Sequence, residues 1–183
     1  PYDAQEGRSL LDRASGAVRM VTFAPELDGG RALAGELARR GVVAAIGHTL
    51  AAPDEIATAV AEGARHATPL FNAMGPLHHR GPGVAASVLA EERLTCDAIA
   101  DGAHVHPEWL RVAARAKGAG LLLITDRIDP PAAGAEATPT PAVAPAPVWP
   151  GGARISSDGV AWRLPDGRLA GSHLTLHDAV GNC

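Results

Sequence analysis

Short apolar runs alternate with amphipathic stretches along most of this chain. Val42 to Ile46 is unbroken valine, alanine and isoleucine, as expected of a strand buried on both faces. The stretch before it is helical in period: Leu33, Ala34, Leu37 and Ala38 form a stripe within Arg31 to Arg40, and Gly41 ends it. Pro53 to Ala64 repeats the pattern. Pro53 suits a first helical turn, and Asp54 and Glu55 complement the positive end of the helix dipole. By the same reading Ser9 to Ala14 ends a helix, and Val84 to Glu92 and Pro107 to Lys117 form two more. In the last, Trp109, Leu110, Val112 and Ala113 are expected to face inward. Ala17 to Phe23, His66 to Phe71, Thr95 to Ala100 and Gly120 to Thr125 read as strands. Five strands spaced by helices predict an α/β fold, a run of βα units feeding a parallel sheet or barrel.

The pattern then breaks. Pro130 to Pro150 is proline mixed with alanine, which forms neither a regular helix nor a central strand. It is expected to be an irregular loop with polyproline character. Beyond it, Ala153 to Ile155, Gly159 to Arg163 and Arg168 to Ala170 read as short strands, with a turn at Pro165-Asp166-Gly167. His173 to Val180 reads as the start of a closing helix. The expected organisation is a barrel portion over 1–129, the Pro/Ala-rich loop over 130–152, and short strands with the closing helix of the same domain over 153–183.

Composition narrows the function. The 183 residues are 46% hydrophobic but only 3% aromatic, so alanine, valine and leucine carry the packing. The net charge is −4 and no basic cluster occurs, which argues against a nucleic-acid partner. No apolar run reaches the roughly 20 residues of a membrane span. Cys96 and Cys183 form no CxxC pattern, which fits a reducing, cytoplasmic setting. No signal peptide is visible, and the chain opens in mid-pattern, as a piece of a longer polypeptide would.

Candidate chemistry lies where strands end. Four βα units finish on a polar side chain: His48, Asn72, His104 and Asp126. In a barrel these would converge on one mouth, an imidazole as a metal ligand and a late carboxylate as a general base. Arg80, in the Gly75–Gly83 loop, is either a solvated side chain or an anion clamp. His78 and His79 in the same loop read as solvated. Glu26 reads as a cap for the next segment, and Trp109 and Trp162 as packing residues.

Six segments in order carry a more specific signal: AIGHT, TPLFNAM, the RGPG loop, DGAHVHP, LLLITD and LAGSHLTLHDAV, preceded by VRMVTFAPE. Together they resemble the N-acetylglucosamine-6-phosphate deacetylases of the amidohydrolase superfamily. The resemblance implies a (β/α)8 barrel, of which about five units are expected here. It implies a divalent metal, zinc or else iron or another divalent ion, and a metal-bound hydroxide that attacks the acetamide of N-acetylglucosamine 6-phosphate. The products would be acetate and glucosamine 6-phosphate, in amino-sugar catabolism. It implies His48 as a metal ligand and Asp126 as the catalytic acid/base. Asn72, Ala73 and His104 would contact the sugar. Arg80 would bind the phosphate, reaching across a homodimer, and Leu169, Ala170 and Gly171 would line the substrate through their backbone.

Three departures qualify that implication. Where the resembled motif reads T-H-L-F-N-A-M, this chain has Pro69, which has no lone pair for a metal. His66, three residues earlier on a strand, should point to the other face. The family's glutamate ligand, in a motif like H-x-E-G-P, does not occur here, and Arg127 follows Asp126 where a small residue is usual. The chain is therefore expected to be inactive or severely impaired; the alternative is a non-catalytic, degenerate paralogue that binds a sugar phosphate. Dihydroorotase-like or adenine deaminase-like enzymes are disfavoured by the N-A-M and G-S-x-L-T-L segments.

Overall fold

The computed structural model describes residues 4–14, 16–128 and 154–183. The element order is α1 (Ala4–Arg13), β1 (Met20–Phe23), α2 (Gly30–Arg39), β2 (Val43–Ile46), α3 (Pro53–Glu62), β3 (Ala64–Ala67), α4 (Gly83–Ala90), β4 (Thr95–Ile99), α5 (Pro107–Lys117), β5 (Leu121–Ile124), β6 (Ser156–Ser157), β7 (Ala161–Arg163), β8 (Leu169–Ser172) and α6 (Leu176–Gly181). The Pro/Ala-rich loop expected over 130–152 lies outside the described residues.

The first five strands form one sheet in the order β1-β2-β3-β4-β5. Strands β1 to β4 pair in parallel, with Phe23 beside Ile46 and Ile46 beside Ala67. A right-handed crossover that always steps to the next position keeps its helices on one face of the sheet, and no strand order reverses. That is singly wound, barrel-type topology rather than the doubly wound kind. The fold is the α/β, partial-barrel arrangement expected from the sequence. Among the described residues the sheet is open, and β1 stands at its edge.

The chain divides into two compact units: Pro1–Ala98 with Glu108–Leu122, and Ile99–Pro107 with Leu123–Cys183. In the first, Leu37, Ile46, Ile56, Val60, Leu70, Met74, Val88 and Leu94 are almost wholly buried. α3 starts as its sequence asks, with Pro53 in its first turn and the Glu55 carboxylate accepting the Ala52 N–H at 2.8 Å. Lys117 at the end of α5 donates to the carbonyls of Val88 and Glu91, at 3.0 and 2.7 Å. It thereby adds a second, charged donor to carbonyls that already accept the N–H groups of Glu91 and Leu94. In the second unit β6, β7 and β8 form an antiparallel sheet.

Several boundaries differ from expectation. β3 is Ala64–Ala67 rather than His66 to Phe71, and Thr68 to Phe71 is bend and turn. Pro69 has no N–H for a strand ladder, and Leu70 is fully buried from a turn. The late strands lie later than expected, at 156–157, 161–163 and 169–172, and the last helix begins at Leu176 rather than His173. On α5, Leu110 and Ala113 are buried, but Trp109 and Val112 are 44% and 41% exposed. The four residues span too wide an arc for one helix face.

Candidate functional site

In the first unit the loop after β2 is pinned from both sides. Gly47 N–H donates to the Phe23 carbonyl at 3.0 Å, and Thr49 N–H to the Ala73 carbonyl at 2.9 Å. Glu26 does not cap the segment that follows it: α2 has Gly29 at its N-cap and no side-chain cap hydrogen bond. Its carboxylate accepts from the Thr49 hydroxyl and, at 2.9 Å, from the Leu50 N–H. Burial raises the Glu26 carboxyl, but these hydrogen bonds outweigh it and hold the group below its usual range. Between the anchors His48 is exposed at φ 50°. Gly47 has no alternative: a Cβ there would collide with the Thr68 carbonyl oxygen and come within 2.8 Å of Thr22 Cγ2.

The turn after β3 presents Asn72 and Ala73. Leu70 N–H donates to the Asp97 carbonyl at 2.8 Å, and Asn72 uses its Nδ2 on the Leu70 carbonyl at 3.1 Å. Phe71 packs its ring against Trp109, centroids 5.5 Å apart. Among the described residues four non-glycine positions have positive φ: His48, Phe71, Ala73 and Asp126. Such residues cost about 1–2 kcal/mol each and gather at functional sites. Three of the four are candidates read from the sequence, and all four follow strand ends. Arg80 is exposed, its N–H directed to His78 Nδ1 at 3.2 Å; His78 and His79 are also exposed.

His66 is buried between β3 and β4. Nδ1 meets Thr95 Oγ1 at 2.7 Å and Nε2 meets Asp97 Oδ2 at 3.0 Å. Both nitrogens are thereby engaged. Asp97 Oδ1 is buried without a hydrogen-bond partner.

The second unit brings two of the candidates together. His104 Nε2 lies 3.6 Å from Asp126 Oδ2, while its Nδ1 lies 2.6 Å from Asp101 Oδ2. Asp101 Oδ1 accepts the N–H groups of Ala103 and His104 at 2.9 and 2.7 Å. Burial pushes the Asp101 carboxyl up, but the His104 ring and these N–H groups together hold it below its usual range. Strand β8 runs beside Asp126: Ser172 N–H donates to the Asp126 carbonyl at 2.8 Å. Gly171, at φ 142°, leaves no room for a side chain, since a Cβ would lie 2.9 Å from Ile128 Cγ1 and 3.1 Å from the Asp126 carbonyl oxygen. Ala170 and Gly171 are buried and Leu169 partly so. Arg127, adjacent to Asp126, directs Nη1 to the His173 carbonyl at 2.8 Å. Trp162 packs as expected, its Nε1–H on the Ile128 carbonyl at 3.2 Å.

Sequence reading missed Asp101, Asp97 and the role of Glu26. Asp101 had a local signal, an acid three residues before a histidine in a Gly-containing turn. Among the described residues no group of three or more His, Cys, Asp or Glu side chains is placed to hold a metal ion. The donor set does not fit a catalytic zinc, which needs about three protein ligands.

No protein-family model matches the chain. It is 35% identical over 181 residues, 98% of its length, to the N-acetylglucosamine-6-phosphate deacetylase of Bacillus subtilis (strain 168), of which that covers 43%. It is 44% identical over 117 residues to the Danio rerio enzyme of the same name. Among solved structures it superposes on an aspartate-to-alanine mutant of the Mycobacterium smegmatis enzyme, in complex with N-acetyl-D-glucosamine-6-phosphate, with TM-score 0.82 and 36% identity. That match covers 99% of this chain and 45% of the other. The Pasteurella multocida enzyme gives TM-score 0.85 at 26% identity, covering 100% of this chain and 45% of the other. The chain thus spans less than half the length of these relatives.

Proposed function

We propose, because the chain belongs to the N-acetylglucosamine-6-phosphate deacetylase family of amidohydrolases, that it is part of a hydrolase that splits the acetamide of N-acetylglucosamine 6-phosphate into acetate and glucosamine 6-phosphate. The observation that carries this reading is similarity along nearly the whole chain, with the segments bearing His48, Asn72, His104, Asp126 and Gly171 in the family's order. Asp126 is the acid/base: its half-exposed carboxylate takes a proton from water and returns it to the leaving amine. His104, Asn72 and Ala73 hold the sugar. Arg80 clamps the phosphate, in a homodimer on behalf of the other subunit, and Leu169 to Gly171 offer backbone groups to the substrate. Cytoplasmic amino-sugar catabolism is the setting; no helix among the described residues is long and apolar enough to cross a membrane.

A divalent metal, zinc or a similar ion, supplies the nucleophile in such chemistry. His48 remains for it, but position 69 offers proline. The described residues therefore offer no catalytic metal centre, and the chain's own deacetylation is severely impaired. Purified chain given zinc and N-acetylglucosamine 6-phosphate should release no acetate above background; zinc-dependent release would refute the impairment. The degenerate-binder reading draws on the same substitution, because Arg80, Asn72 and His104 need no metal to hold a ligand. It requires glucosamine 6-phosphate to bind in calorimetry with the same heat with and without EDTA, and fails if no heat is seen.

A further inference from the structure

The sugar-contact role proposed for His104 leaves its other nitrogen unexplained. That nitrogen is committed: Nδ1 lies 2.6 Å from Asp101 Oδ2, and the two side chains are 5% and 2% exposed. The second Asp101 oxygen takes the N–H groups of Ala103 and His104. Two backbone N–H groups and the His104 ring converge on one carboxylate, which is thereby fixed in place. The turn it closes is the turn that carries His104. On the far edge of the ring, Nε2 faces Asp126 Oδ2 at 3.6 Å, just beyond hydrogen-bond reach, and the Asp126 side chain is 50% exposed. A buried carboxylate, a buried imidazole and a solvent-facing carboxylate thus stand in line.

We propose that Asp101 is a positioning residue that holds the proton of neutral His104 on Nδ1 and turns Nε2, as the proton-exchanging atom, toward Asp126. A carboxylate can only accept, so the nitrogen facing it carries hydrogen. Nε2 then has a lone pair when the ring is neutral. Once the 3.6 Å gap closes to a hydrogen bond, the exchange this permits is balanced: the O–H bond of a protonated Asp126 breaks, an N–H bond forms at Nε2, and Asp101 remains the counter-charge of the imidazolium. His104 becomes the store for the proton that Asp126 carries. The use of that proton on an amino-sugar amide rests on the function proposed above; the tautomer does not.

The test is nitrogen NMR of the full chain labelled with 15N-histidine, at a pH where the ring is neutral. His104→Gln identifies the resonance among the eight histidines. In the wild type Nδ1 should be the protonated nitrogen. Asp101→Asn keeps the shape, removes the anionic acceptor, and should shift the tautomer ratio toward Nε2–H by about ten- to a hundredfold, the worth of one hydrogen bond to a charged group. Asp126→Asn should leave the proton on Nδ1. A wild-type ring protonated on Nε2, or a folded Asp101→Asn chain with an unchanged ratio, overturns the proposal. Should Asp101→Asn not fold, the wild-type and Asp126→Asn spectra decide the matter alone. Glucosamine 6-phosphate, added to the same wild-type sample, should move the His104 resonance. A resonance that stays put while Nδ1 remains protonated counts against the substrate, not against the role of Asp101.

Discussion

Gly47 offers the sharpest test of how the loop carrying His48 is built. Replacing it with alanine adds one Cβ between two strand ends. That atom would lie far inside contact distance of the Thr68 carbonyl oxygen, 3.1 Å from the Thr68 carbonyl carbon and 2.8 Å from Thr22 Cγ2. Thr22 could turn aside, but Thr68 is backbone and cannot yield without moving β3 from β2. The hydrogen bonds at risk are Thr68 N–H to the Ile46 carbonyl, 2.9 Å, and Gly47 N–H to the Phe23 carbonyl, 3.0 Å. Overpacking alone costs about 1–3 kcal/mol. Each buried backbone group left unpaired adds about 1–3 kcal/mol. Partial relaxation shares these costs, so Gly47→Ala should lose about 3–5 kcal/mol, a large share of the roughly 5–15 kcal/mol that holds an ordinary chain folded. Urea unfolding followed by far-ultraviolet circular dichroism measures this. Gly81→Ala is the control, since its Cβ would enter open space, and it should stay within about 0.5 kcal/mol of wild type. A Gly47→Ala chain as stable as the control would refute the close approach of β2 and β3 that fixes the His48 loop.

Three further outcomes follow from the same geometry. Ala73→Gly, at φ 52°, should gain up to about 1 kcal/mol in urea unfolding, because glycine meets no steric penalty there; a loss would contradict the strained backbone. The Glu26 carboxyl is depressed in the folded chain, so its contribution is present above the unfolded value, usually 4.5, and is lost as pH falls through the folded one. Glu26→Gln should therefore show a shallower loss of stability on acidification than wild type, and equal slopes would dispose of the Glu26–Thr49 anchor. Cys96 is buried, which pushes its thiol up to about 11, whereas Cys183 is exposed. An aromatic disulfide reagent should thus titrate one thiol quickly and the second only on unfolding; two equally fast thiols would contradict the burial of β4.

Much of the fold was legible because buried parallel strands are apolar runs and their helices are amphipathic. Val43–Ile46 and Pro53–Glu62 carry both signals in full. β3 was misplaced for the same reason. Its residues Ala64, Arg65, His66 and Ala67 have no apolar period, whereas Leu70 and Phe71 imitate a strand while belonging to a turn. The candidate site was read as a list of side chains, and that list holds the strained His48, Ala73 and Asp126. Their backbone was not legible, because a positive φ is signalled by glycine and none of the three is glycine. The link from Glu26 to Thr49 was also hidden, since it joins ends of different strands and leaves no local spacing. Asp101 was within reach, but one acid in a polar turn looks like any other until the ring it holds is seen.

The edge position of β1 bears on how the chain behaves in company. Its pairing among the described residues is with β2, and its first residue Met20 and Leu10 of α1 are about half exposed. An apolar groove of about 600 Å³, lined by Leu10, Leu11, Val18, Val21 and Leu33, runs along the same region. A strand with one side open offers its amides to any extended backbone that meets it, including another copy of itself. For this polypeptide, self-association through that edge should then grow with concentration. Dilution, rather than cooling, is the condition that keeps its molecules apart.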